Sequence, residues 1–265
     1  MKFFSAIKII FRRLIQDFYI IREIHALDYV LAGVQVYKLS FFYFLGGFLN
    51  MLVMFLPIKV FLLMSGVSQI SKFTDLRGEY GSELFVTGLV FLISSVYLVN
   101  ILVQLYTSRL EKTSQKKLVD ETYRTKYGEY GNGFVCYSFR VFSGIIGDII
   151  MFSISTLLFF FVSPTFCFIF LLSQISYLFI VKYFVYTNNK FRFLDRMHLE
   201  KGQANNIISS SFFIFLFGGI VFSFHATELS VGWAILLLLL SRIANNSTKG
   251  MLNKIQAIKK KLKRI

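Results

Sequence analysis

A chain of 265 residues that is 55% hydrophobic, carries 33 Phe and has a positive mean hydropathy is not a soluble globular domain. Its formal net charge of +15 would point to nucleic acid in a soluble protein. Here the basic residues cluster at the ends of apolar runs, a pattern that points to membrane topology and anionic headgroups.

Residues 1–38 read as an N-terminal amphipathic, elbow-like region. Phe3, Phe4, Ile7, Ile10, Phe11, Leu14, Phe18 and Ile21 recur at three- or four-residue steps, with Lys2, Lys8, Arg12, Arg13 and Asp17 on the other face. Lys8, Arg12 and Arg13 interrupt any signal-peptide apolar core.

Residues 39–265 read as a six-helix transmembrane domain with a polybasic cytoplasmic tail. The spans fall at about Leu39–Ser65, Leu84–Tyr106, Val141–Val162, Thr165–Tyr186, Ile207–Phe224 and Ser230–Ile243. Pro57 lies inside the first as an expected kink. The second continues without Gly or Pro to Tyr127, and one helix over Leu84–Tyr127 would be roughly 66 Å long. A membrane helix ending near Tyr106, followed by a separate amphipathic hairpin, is the alternative. The sixth span is short, but its helical pattern runs on through Asn253. The fold class is therefore all-α: a six-span bundle with an interfacial N-terminal helix and cytoplasmic helical hairpins.

All Lys and Arg except Lys59, Lys72 and Arg77 fall in the N-terminal segment, residues 107–140, residues 182–201 or the tail from Arg242. The positive-inside rule places those segments, and both termini, in the cytoplasm of a multi-pass inner-membrane protein.

Polar residues inside the spans are the candidate site residues, since such groups are expensive in hydrocarbon. Asn50 and Lys59 lie in the first span, Asn100 and Gln104 in the second, Asp148 in the third, Gln174 and Lys182 in the fourth. Asn100 and Gln104, four apart, can bond a neighbouring helix or a substrate. Asp148 can pair with a basic residue at the cytoplasmic border or line a polar cavity. Gly46-Gly47, Gly144 with Gly147, and Gly218-Gly219 suggest close helix contacts. Cys136 and Cys167 have no metal or redox spacing, and His198 and His225 are isolated. There is no GxxxxGK[ST] motif, no HExxH and no Ser-His-Asp order. No cofactor and no catalytic activity are expected of this chain, and no nucleic acid.

The arrangement resembles the membrane domain of the type I, exporter-type, ABC transporter family. The elbow, six spans, short outer links and two cytoplasmic hairpins carry the resemblance. So do Arg140-Val-Phe-Ser-Gly-Ile-Ile-Gly-Asp148, which looks like the start of that family's third helix, and Ser163-Pro164, which looks like its tight link between spans three and four. The resemblance implies a homodimer or a heterodimer with a related chain, surrounded by lipid, exporting a peptide, lipid or small amphipathic substrate. It also implies that ATP is hydrolysed by a separate nucleotide-binding subunit, because none is fused within this sequence. Both hairpins are shorter than in typical members. Their turns would carry coupling, at Glu129 and Tyr130 in the first and Arg192 and Leu194 in the second. A different class fits the same composition: a stand-alone multi-pass accessory, defence or immunity, or channel-like protein without ATP coupling.

The topology is testable by labelling single cysteines from outside the cell. Asp75→Cys and Glu228→Cys should react; Lys116→Cys and Lys190→Cys should not. Reaction at position 116 from outside would remove the six-span arrangement.

Overall fold

The fold is a bundle of long helices, seen in a computed structural model that describes residues 33–64, 82–122, 132–186, 201–227 and 231–262, with Ile15 and Arg22 besides. The helices are α1 (Val34–Met64), α2 (Ser82–Thr122), α3 (Asn132–Val162), α4 (Pro164–Ile180), α5 (Lys201–Thr227) and α6 (Val231–Leu262). A π-helical turn, Val181–Tyr186, continues α4. No strand occurs among the described residues. Five helices are long and apolar enough to cross a membrane; α6 is not one of them. The elbow expected over residues 1–38 lies outside the described residues up to Ala32, save for Ile15 and Arg22.

One boundary differs from the sequence reading, and one open choice is resolved. α1 starts at Val34, after Gly33 in a left-handed conformation (φ 52°), five residues before the expected span. α1 also runs through Pro57 to Met64. α2 does not stop at Tyr106; it continues unbroken to Thr122, 41 residues or roughly 62 Å. That is about twice the ~30 Å hydrocarbon thickness. Residues 123–127 lie outside the described range.

The α3–α4 corner follows from two residues. Ser163 is extended (φ −154°, ψ 101°), its hydroxyl accepts the Phe166 N–H at 3.3 Å, and Pro164 takes the first helical position, where no N–H is needed.

α3 is the centre of the bundle. It packs along α1 on one side and along α6 on the other, with α2 and α4 at its flanks; α5 closes against α4 and α6. α1 approaches closely because residue 147 is Gly: a Cβ there would sit 3.1 Å from the Ser40 carbonyl oxygen and the Tyr43 Cβ. Gly219 meets Ile169 on α4 in the same way. Gly46, Gly47 and Gly218 were expected at close contacts, but a Cβ at any of them would meet nothing within 4 Å, so they do not serve that purpose.

α3 and α6 run antiparallel in a fixed register. Lys261 lies over the Tyr137 ring, Lys254 reaches the Gly144 carbonyl, and Gly250 adjoins the Asp148 carboxylate. Each step down α3 is matched by a step up α6. The polar part of α6, from Ser241 onward, therefore lies beside the apolar part of α3 and not beyond it.

Apolar packing falls into separate clusters. At the Pro164 end, Phe159, Phe166 and Phe170 pack edge-on with Leu216, Leu237 and Leu240. At the Arg140 end, Leu118, Val135, Phe139, Ile255 and Ile258 bring α2, α3 and α6 together around Leu39 of α1. Tyr177, Val181, Ala204 and Leu252 join α4, its π-helical turn, α5 and α6.

Phe170 is fully buried against Phe159, whereas its near neighbour Phe168 is 70% exposed. Phe170→Ala should therefore lower stability by about 3 kcal/mol or more, and Phe168→Ala by a few tenths. Thermal unfolding of the two variants in lipid nanodiscs measures the contrast; equal losses would contradict this packing.

Candidate functional site

Three polar centres join the helices; the first lies at the bundle surface, with Asn50 and Gln104 exposed, and the other two lie deeper. The first joins α1 and α2. Asn100 donates from Nδ2 to Asn50 Oδ1 at 2.9 Å, and Gln104 Nε2 points to both Asn50 Oδ1 and Asn100 Oδ1 at 3.4 Å. The sequence left the partner of Asn100 and Gln104 open between a helix and a substrate; the structure brings both to Asn50.

The second centre joins α3 and α6. Lys254 Nζ donates to Asp148 Oδ2 at 2.7 Å and to the Gly144 carbonyl oxygen at 3.0 Å. Glycines on both helices make room. A Cβ on Gly144 would lie 2.9 Å from Lys254 Nζ, and one on Gly250 would lie 3.2 Å from Asp148 Oδ2. Of the two roles open to Asp148, pairing with a basic residue is the one observed. The partner comes from the C-terminal helix and not from a border residue such as Arg140. Arg140 instead reaches Glu111 on α2 at 3.9 Å, and Glu111 accepts hydrogen bonds from Tyr43 (2.9 Å) and Gln115 (3.1 Å).

The third centre joins α4, α5 and α6. Tyr177 donates to Asn205 Oδ1 at 2.7 Å, and Asn205 Nδ2 donates to Asn253 Oδ1 at 2.8 Å. Gln174 Nε2 donates to Asn245 Oδ1 at 3.4 Å, and Asn245 Nδ2 donates to the hydroxyl and carbonyl oxygens of Ser209, both at 3.0 Å. Gln174, Asn205 and Asn245 are almost wholly buried. Gln174 Oε1 and Ser173 Oγ find no partner among the described residues. Lys182, a polar candidate of the fourth span, is buried within the π-helical turn.

Sequence reasoning found Asn50, Asn100, Gln104, Gln174 and Asp148, but missed Asn205, Asn245, Asn253 and Lys254. Candidates were sought only within the spans, and the sixth was ended at about Ile243, so the later α6 residues were not among them. The α3–α6 register was the missing information. The coupling-turn residues Glu129, Tyr130, Arg192 and Leu194 lie outside the described residues. Lys59 lies within α1, but its side chain is likewise outside them.

The groups assembled are amides, hydroxyls and one ion pair. They satisfy one another between helices and offer hydrogen-bonding surface to whatever the bundle encloses. No group of three His, Cys, Asp or Glu suited to a metal occurs among the described residues. No protein-family model matches the chain, and no curated protein or solved structure matches it either. The class that the fold defines is an all-helical protein of the multi-pass membrane type.

The ion pair gives a cycle of variants. Lys254→Met should leave an uncompensated carboxylate and Asp148→Asn an uncompensated ammonium, each at a cost of about 3 kcal/mol. The double variant should recover most of that loss, because no isolated charge remains. Detergent-resistant melting of the four proteins measures the cycle; additive losses would show that the two residues act independently.

Proposed function

We propose that this chain is the membrane-spanning subunit of an exporter-like transporter, dimeric and driven by ATP hydrolysed on a separate polypeptide. In this reading all six helices cross the inner membrane, α6 included, since it accompanies α3 along its length. Both termini and the Arg140 end of the bundle face the cytoplasm, in keeping with the distribution of Lys and Arg. The cargo is a peptide, lipid or small amphipathic molecule.

The observation that carries this reading is the stem. α2 continues about four turns past Tyr106. It is not a loose extension there. Leu118 is buried against Val135, Phe139 and α6 residues, and Tyr43, Glu111 and Arg140 tie α1, α2 and α3 together at its base. A packed stem transmits force, because its helices move as one body; a solvated loop does not. In the sequence beyond it, Gly128 and Gly131 flank Glu129 and Tyr130, where this reading puts the coupling contact.

A pull-down tests the reading. Wild-type protein extracted in mild detergent should recover an ATPase subunit, and a Tyr130→Ala/Leu194→Asp variant should lose it while inserting normally into the membrane. A functional wild-type protein that recovers no ATPase removes the coupled-transport reading in favour of a stand-alone membrane protein.

A further inference from the structure

α6 carries a polar stripe that its neighbours leave open. Arg242, Asn246, Lys249, Asn253, Gln256 and Lys260 recur at alternating steps of four and three, so they share one helix face. Arg242 and Asn246 are exposed and Lys249 is half-buried. No hydrogen bond or ion pair holds Arg242, Asn246 or Lys249 among the described residues; Asn253, at the edge of the stripe, is held by Asn205.

The register sets the depth of this stripe. α3 enters its apolar run at Val141 and leaves it at Val162, which is roughly 33 Å of helix, a bilayer's thickness. With Gly250 beside Asp148 and Lys254 beside Gly144, that run lies against roughly residues 236–257 of α6. Asn246 then faces the level of about residue 152, near the middle of the run, with Arg242 about a turn to the Pro164 side and Lys249 about a turn to the other. A face of this kind is not a lipid-facing surface. Ionised side chains near the bilayer centre each cost at least ~2.5 kcal/mol and face cavities or partners instead. Other exposed side chains near this depth are apolar, as at Ile175 and Ile214, or uncharged polar groups such as the Ser210 and Ser211 hydroxyls, which bond back to their own helix; none among the described residues is charged. The stripe's fixed charges, Arg242, Lys249 and Lys260, are all cationic.

We infer that Arg242, Asn246 and Lys249 line a water-filled cavity in the membrane domain that accepts an anionic group. The cavity deepens the transport reading by naming the charge of its cargo, and rests on that reading for the statement that the anion is moved. The occupancy itself requires no ATPase. Asn246 supplies an amide at the midpoint, and the two cations flank it along the axis, so an anion entering from one end meets Lys249 and Arg242 in turn. In a low-dielectric wall such charges raise the local concentration of anions about tenfold or more.

Thiol chemistry tests this in reconstituted full-length protein carrying Cys136→Ser and Cys167→Ser. Asn246→Cys is compared with Ile175→Cys, which lies at the same depth because Gln174 bonds Asn245, yet is 64% exposed on an apolar face. Two membrane-impermeant methanethiosulfonates are used, one sulfonated and one trimethylammonium. Position 246 should react with both and position 175 with neither. The ratio of anionic to cationic rates at 246, normalised to a free thiol, should be about tenfold, and should fall to about one in Arg242→Gln/Lys249→Gln. Phosphatidylglycerol in the vesicle, or citrate in phosphatidylcholine vesicles, should slow the reaction at 246. The first outcome identifies a lipid headgroup as the anion and the second a soluble one; protection by neither overturns the anion assignment. An unreactive position 246 overturns the cavity, as does a disulfide between two copies through position 246 that excludes both reagents. A ratio at or below that of the free thiol overturns the anionic preference. A reactive, anion-selective 246 in a protein that recovers no ATPase leaves the cavity standing and removes only the coupling. An unreactive 246 beside a recovered ATPase does the reverse.

Discussion

The contact between Asp148 and Lys254 is the constraint on which the arrangement of α3 and α6 depends. An ion pair at membrane depth tolerates little misplacement, because either group left alone is an uncompensated charge in a poor solvent. A slip of one residue along α6 would rotate Lys254 away by about 100° and bring Met251 or Ile255 towards the carboxylate. The pair is also sterically specified. Gly144 faces Lys254 and Gly250 faces Asp148, and a Cβ at either would crowd the pair and make it shift. Two glycines and two charges thus encode one alignment. Apolar packing alone would not, since a leucine-rich seam such as Leu236–Leu240 offers several registers of similar energy.

The same constraint orders the rest of the bundle. Once α6 is fixed on α3, Asn245 and Asn253 are presented to Gln174 and to Ser209 and Asn205, and α4 and α5 must pack where those amides are satisfied. α1 is fixed from the other side by the close approach at Gly147, and α2 follows α1 through Asn50, Asn100 and Gln104. Interhelical hydrogen bonds of this sort contribute about 0.6 kcal/mol each on average, so they select an arrangement more than they stabilise it. The largest apolar clusters are the aromatic one at the Pro164 end and the one in the stem, where close packing gains dispersion energy.

Fold class and most helix positions were legible in the sequence because long apolar runs have one solution in a bilayer. The continuation of α2 to Thr122 was legible too, from the lack of a Gly or Pro after Tyr106 and the apolar spacing of Leu110 and Leu118. The start of α1 was not. Val34 to Lys38 is weakly polar, and only tertiary burial of Val36 against the α3 start makes it part of the span. Asp148 was recognisable as unusual, but not its partner: the chain holds 29 basic residues, and spacing along the sequence carries no information about a pair 106 residues apart. The packing of the polar stretch of α6 beside α3 was not legible for a related reason: hydropathy reports the average polarity of a segment and not the neighbour it packs on.

α6 shows why that average misleads. Going round the helix, Gly250, Lys254 and Ile258 turn towards α3, Asn245 and Leu252 turn towards α5 and α4, and Arg242, Asn246 and Lys249 fall in the gap between. Each face satisfies its polar groups differently: the first in an ion pair, the second in amide hydrogen bonds, the third by water in the proposed cavity. A segment with three such environments has low mean hydropathy and yet no group that hydrocarbon must solvate. Outward apolar residues are carried by the other helices, such as Met54 on α1, Leu102 on α2, Leu157 and Phe161 on α3, Ile175 on α4 and Ile214 on α5. In the proposed cavity the open stripe of α6 meets water and not hydrocarbon, which is the condition under which a bilayer tolerates a helix of this composition.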